Sequence, residues 1–239
     1  MATKETKLPE NILQAYRELH DSVTLPKLLS QFTLTKGKLY EKTKFMLVGR
    51  SPDHWQNFDE QSIADLAQIR NDKGFEWTKD KTLKYKLNSA FWYTAKHTMM
   101  KLFDVPDTSD WCEYMIWTNL YPISPIEGGN AVGKLQEIQR DAARKLLQLQ
   151  IEYYAPKYIL FTTDWDGWFA PCEKGVPQFL PGINKISENE FDKEKTIVMG
   201  SGKYGGAKVV VTIRPDRWKY KPTAERFSDE VIKAFKAVC

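Results

Sequence analysis

Short apolar runs set between longer stretches of helical periodicity organise this chain. Four runs are continuous rather than alternating: residues 45–48 (Phe-Met-Leu-Val), 114–120, 157–162 and 209–213. Runs of that length, bounded by turn chemistry, read as strands buried on both faces. Between them the period becomes helical. Residues 9–32 carry Ile12, Leu13, Tyr16, Leu19 and Val23 on one side, with Pro26 breaking that helix or opening a second one. A helix is expected over 62–69, with turn chemistry at Asn71-Asp72-Lys73-Gly74. A long one over 83–103 carries Leu87, Phe91, Thr94, Thr98 and Leu102. The strongest period lies in 135–154, with Leu135, Ile138, Ala142, Leu146, Leu149 and Tyr153 in one stripe and Pro156 closing it. Residues 224–237 read as a terminal helix, and 171–206 as an irregular insertion rich in Gly, Pro and charge.

Strands alternating with helices at this spacing predict an α/β fold: a three-layer α/β/α arrangement around a central, mainly parallel four-stranded sheet. A single domain is expected over 1–239, with an N-terminal helical extension over about 1–40 and the insertion over about 171–206.

Composition narrows the picture. Hydrophobic residues make up 42% of the 239, enough for a core, and 28% are charged. The formal net charge of +4 permits a nucleic-acid partner without requiring one. Eight tryptophans are more than a plain core needs, so a stacking or partner surface competes with the core for them. Cys112, Cys172 and Cys239 are widely spaced, and His20, His54 and His97 are scattered. Neither pattern predicts a disulfide framework or a metal site. No apolar run has membrane-spanning length and the N-terminus is polar, so a soluble, cytoplasmic protein is expected.

The candidate chemistry sits where strands end, because ligands of open α/β sheets bind at the carboxyl edge of the strands. After 45–48 come Gly49, Arg50, Ser51, Pro52, Asp53, His54 and Trp55. Gly49 permits close backbone approach, and Pro52 holds Ser51 extended. The fourth strand delivers Arg214, Pro215, Asp216, Arg217 and Trp218. Each loop alone reads more readily as a polar or ion-paired surface turn; their recurrence at two strand ends favours a site. Asn119, at a third such junction, can donate and accept along a nucleobase edge, or make an Asx-type turn before Pro122. Residues Arg217, Trp218, Lys219, Tyr220 and Lys221 interleave cations with rings, which suits phosphates and unstacked bases as well as ordinary surface packing. The Gly128-Gly129-Asn130-Ala131-Val132-Gly133 connection is weak as a phosphate-binding loop, because the hydroxyl such a loop needs after its lysine is not at its required spacing.

Together these segments resemble the uracil-DNA glycosylase superfamily. Gly49-Arg50-Ser51-Pro52-Asp53-His54 is similar to its first motif, Gly-Gln-Asp-Pro-Tyr-His in one branch and Gly-x-Asn-Pro-Gly in others. Arg214-Pro215-Asp216-Arg217-Trp218 resembles its last motif, His-Pro-Ser and a DNA-inserting loop. Asn119-Leu120-Tyr121-Pro122 resembles the single-strand-selective branch, and the likeness runs in order over residues 43–235. It implies base flipping and hydrolysis of an N-glycosidic bond, as in base excision repair. By position, Ser51 stands for the water-positioning acid or amide and Arg214 for the anion-stabilising histidine. Asn119 reads the base, and Phe75, after Gly74, stacks on it.

The departures are chemical. Serine has no basicity at neutral pH and can orient water without taking its proton; Asp53 or Asp216 could supply a carboxylate instead. His54 is a helper or a loop hydrogen-bonder, and Arg214 an anion stabiliser or a phosphate clamp. A monofunctional, metal-free and cofactor-free monomer acting on DNA is expected. Its altered loops point to a modified pyrimidine, and through that to defence against viral DNA carrying such bases. Two other readings stand beside it: an inert nucleic-acid-binding module of the same fold, and another hydrolase on a generic doubly wound fold.

Overall fold

The computed structural model describes residues 7–25, 28–52, 55–57, 62–79, 89–186, 196–215 and 224–238. Its elements are, in chain order, α1 (Glu10–Ser22), β1 (Leu29–Gln31), β2 (Thr35–Lys36), β3 (Phe45–Gly49), β4 (Gln56–Asn57) and α2 (Ile63–Lys73). There follow α3 (Ala90–Phe103), β5 (Met115–Asn119), β6 (Ile123–Pro125), α4 (Lys134–Tyr154) and β7 (Tyr158–Phe161). The chain ends with β8 (Ile183–Lys185), β9 (Val198–Tyr204), β10 (Ala207–Thr212) and α5 (Ala224–Ala237).

The four expected strands all form, as β3, β5, β7 and β10, and every residue of β3 and β5 is buried. They are hydrogen-bonded neighbours within a mixed sheet of order β2-β5-β3-β7-β10-β9-β8. The expectation of four strands is therefore corrected to seven among the described residues. β3, β7 and β10 run parallel, with Phe45 opposite Tyr158 and Lys208 opposite Tyr158. β9 runs antiparallel to β10 and to β8. Both β8 and β9 arise inside the segment read as irregular, where Gly200 and Gly202 mask the strand signal. Those glycines answer a packing need: a Cβ on Gly200 would run into the Trp165 ring and the Asn184 carbonyl.

The chain forms two compact units. One comprises the residues up to Lys36, Gly49–Gly74 and Trp117–Tyr154. Here α1 packs on α4 and α2, and β1 is the middle strand of a three-stranded antiparallel sheet, β4-β1-β6. The N-terminal segment thus departs from the expected run of helix. α1 stops at Ser22, Val23 is extended, and residues 29–31 and 35–36 are strands. Ser30, Gln31, Thr33 and Thr35 are all buried, so the segment lacks the apolar signature of a core strand.

α4 is also rotated relative to its expected stripe. Its buried face is Leu135, Gln139, Ala143, Leu146, Leu147, Gln150, Ile151 and Tyr154, while Tyr153 is exposed. Two glutamines face inward because the backbone and a tyrosine supply partners. Gln139 accepts the Ile123 N–H at 3.1 Å and donates to the Ile123 carbonyl at 2.9 Å. Gln150 accepts from the Thr118 hydroxyl at 3.1 Å and donates to the Tyr16 hydroxyl oxygen at 2.9 Å. That same oxygen accepts the Leu34 N–H at 3.0 Å. Satisfied in this way, buried polar groups fix one packing of the helix rather than weaken it.

The other unit comprises Gly37–Val48, Phe75–Ile116 and the chain from Ala155 onward. α5 has the expected bounds and buries Phe227, Val231 and Phe235 at four-residue spacing. It packs on α3 and on β10. Phe45, Phe103, Tyr158 and Phe235 form a chain of edge-on ring contacts at 5.9, 5.1 and 5.4 Å, joining β3, α3, β7 and α5. Residues 80–88, the first part of the helix expected over 83–103, lie outside the described residues.

Candidate functional site

The first unit brings together Gly49, Arg50, Ser51, Pro52 and Asn119. β3 ends at Gly49, and its carbonyl accepts the Leu120 N–H at 2.8 Å. The Arg50 carbonyl accepts the Tyr121 N–H at 2.9 Å. The loops after β3 and β5 therefore continue side by side beyond the strands. Pro52 is buried, and its carbonyl accepts the Ser124 hydroxyl at 2.9 Å. Arg50 is buried as well.

Those backbone bonds decide how Asn119 is used. An Asx turn would need the Tyr121 N–H to reach the Asn119 side chain, and that N–H is given to Arg50 instead. Asn119 is 4% exposed, and its Nδ2 finds no acceptor among the described residues. A buried amide donor left without a partner costs about 1–3 kcal/mol. Here the deficit lies at the last residue of a central strand, where a ligand can relieve it.

Ser51 is half-buried, and its hydroxyl is engaged twice. It donates to Asn130 Oδ1 at 3.3 Å and accepts the Ala131 N–H at 3.1 Å. With its one proton committed, the oxygen can accept a further hydrogen bond from a water but cannot donate one. Asn130 was not singled out by the sequence, because it lies in a glycine-rich connection whose only signal is the Gly-Gly-Asn turn chemistry.

Trp55, the next described residue, donates its backbone N–H to the Ser30 hydroxyl at 3.1 Å. Its ring lies 5.2 Å from both Phe32 and Trp117, which stand 4.5 Å from each other. The Arg70 guanidinium carbon lies 5.1 Å above the Trp55 ring. Trp117 precedes Asn119 by two positions, so both side chains leave β5 on the same face.

No protein-family model matches the chain, and no curated protein sequence matches it either.

In the second unit, β7 and β10 end on a clasp that the sequence did not reveal. The Asp164 N–H donates to the Thr212 carbonyl at 2.9 Å, and Asp164 Oδ1 accepts the Arg214 N–H at 2.8 Å. Asp164 has φ +65°, a left-handed conformation that aspartate tolerates better than most residues. The available signal was its place after the apolar run of β7. Arg214 is half-buried, and its backbone is set by this clasp. Phe75 is fully buried in the same unit. Asp53, His54, Asp216, Arg217, Trp218, Lys219, Tyr220 and Lys221 lie outside the described residues. Among the described residues no group of three or more His, Cys, Asp or Glu side chains could hold a metal ion, and no helix is long and apolar enough to cross a membrane.

Proposed function

We propose that this protein is a DNA glycosylase of the uracil-DNA glycosylase-like α/β/α fold, which flips a modified pyrimidine out of DNA and hydrolyses its N-glycosidic bond. The observation that carries the reading is the buried Asn119 Nδ2, which finds no acceptor among the described residues, beside the Gly49–Pro52 backbone. An extruded base offers that donor an acceptor, on a planar edge that a side-chain amide matches. As the glycosidic bond lengthens, charge grows on the base, and a donor fixed beforehand stabilises the departing anion without reorganisation. Ser51 orients the attacking water by accepting from it, and Asp53 or Asp216 takes the proton. Arg214 stabilises the anionic base or holds a phosphate; the resemblance of its loop to the last family motif supports either role.

One observation favours a second reading, an inert nucleic-acid-binding module. The Ser51 hydroxyl is bound to Asn130 and Ala131 as a loop staple would be. The two are separated by incubating the protein with single-stranded and duplex oligonucleotides bearing uracil, hydroxymethyluracil or modified cytosines. The glycosylase frees base and leaves alkali-labile sites. Salt-sensitive binding without release on any substrate identifies the binding module.

A further inference from the structure

Arg70 stands in the last turn of α2, and its guanidinium carbon lies 5.1 Å over the Trp55 ring. Two other arginines of the same unit have carboxylate partners: Arg17 pairs with Glu10 at 2.6 Å and Arg144 with Asp141 at 3.4 Å. Arg70 has none among the described residues. Burial holds its pKa below the ordinary arginine value, with no carboxylate contributing. A partly desolvated cation without a counter-charge is costly, and the dipole at the end of α2 offsets only a fraction of a charge.

A cation held over an aromatic ring is attracted by the ring without using up its N–H donors. The guanidinium's planar fork of N–H groups matches the oxygens of a phosphate in pairs. The platform beneath is fixed: the Trp55 N–H is held by Ser30, and Phe32 and Trp117 press on the ring at 5.2 Å. Trp55 follows directly on the loop that carries Ser51, and Trp117 shares a face of β5 with Asn119. A nucleic-acid strand alternates an anion with a flat ring, the two groups that Arg70, Trp55 and Asn119 address within one unit.

We propose that Arg70, held over the Trp55 ring, is a phosphate clamp that binds a phosphodiester of a nucleic-acid strand next to the base held by Asn119. The assignment rests on reading the residue 49–55 loop as a nucleic-acid site. It adds a contact that neither the family motifs nor the basic residues 217–221 contain.

The test is oligonucleotide binding over a salt series, on single strands and duplexes, with wild type and the Arg70→Ala, Arg70→Gln and Arg70→Lys variants. Removing one phosphate contact lowers the slope of log K against log salt by about 0.9 on duplex and about 0.7 on single strand. Affinity at low salt falls about tenfold or more, as expected for a lost hydrogen bond to a charged group. Lysine keeps the slope and loses part of the affinity, since it carries the charge without the fork. Arg70→Gln, which keeps length and polarity, provides the same readout if Arg70→Ala fails to fold.

An unchanged slope and affinity in an alanine or glutamine variant that melts like wild type overturns the clamp. So does a wild-type protein that binds no oligonucleotide, or one that inorganic phosphate saturates at Arg70 as tightly as a strand does. Base release with an unchanged salt slope sinks the clamp and leaves the glycosylase standing. The predicted change in slope without base release on any substrate does the reverse.

Discussion

The Ser51 hydroxyl donates to Asn130 Oδ1 at 3.3 Å, which ties the loop after β3 to the connection that leads into α4. The Ala131 N–H donates to the same oxygen at 3.1 Å, so two contacts hold Ser51 in place and leave its oxygen room to accept one more hydrogen bond. Ser51→Ala removes both bonds and leaves the Ala131 N–H to find water. The variant is expected to lose about 1–2 kcal/mol in urea denaturation. With base release as proposed, the variant's rate falls equally on every substrate, and the shape of the pH–rate profile stays as in wild type, because serine does not titrate in that range. A profile that loses its acid limb in this variant contradicts the assignment.

Tyr16 is the hub of the buried network in the first unit. Its hydroxyl accepts from both Leu34 and Gln150. Tyr16→Phe strands two buried donors and is expected to cost roughly 2–4 kcal/mol. Burial raises the Tyr16 pKa far above the usual tyrosine range. Below about pH 10 the hydroxyl is protonated in both the folded and unfolded states, so its contribution is constant. Above that the unfolded tyrosine ionises while the buried one stays neutral, and the contribution is lost as pH rises toward the folded pKa. The stability gap between wild type and Tyr16→Phe should therefore be flat from neutral pH to about pH 10 and narrow beyond it. A gap that widens with alkalinity would reverse the sign.

Gly200 tests whether the 171–206 segment is part of the sheet. A Cβ there would overlap the Trp165 ring and approach the Asn184 carbonyl to 2.9 Å. Gly200→Ala is expected to cost about 1–3 kcal/mol by overpacking. Gly206→Ala, which meets nothing but has φ +84°, should cost about 1–2 kcal/mol through the backbone alone. Adding Trp165→Leu should recover most of the Gly200→Ala loss and none of the Gly206→Ala loss, measured by thermal melts. Equal rescue of both would show that β9 does not press on Trp165.

Elements carried by one local signal were legible from the sequence. The apolar run of β3 and the spacing of Phe227, Val231 and Phe235 needed no knowledge of neighbours. β1 was hidden because its burial is polar: Ser30 and Gln31 are acceptable inside only because β4 and β6 flank them. The α4 stripe was misplaced by one step because Gln139 and Gln150 look solvent-facing until Ile123, Thr118 and Tyr16 are brought to them. At the site, Gly49, Ser51 and Asn119 were marked by strand ends. Asn130, Asp164 and Arg70 were not, because each acquires its role from a residue distant in the chain. Asp164 reaches Arg214 fifty positions away.

The central claim, that the buried Asn119 amide reads an extruded base for hydrolysis, is tested most directly by single-turnover base release with wild type, Asn119→Ala and Asn119→Asp. The oligonucleotides carry uracil, hydroxymethyluracil or modified cytosines. Aspartate keeps the shape and replaces the donor by an acceptor, so a loss in both variants isolates the hydrogen bond from packing. The expected result is free base and abasic sites from wild type on at least one modified pyrimidine, with release slowed by about a hundredfold or more in both variants. Release by Asn119→Asp at the wild-type rate, or none from wild type on any of these substrates, would contradict the claim.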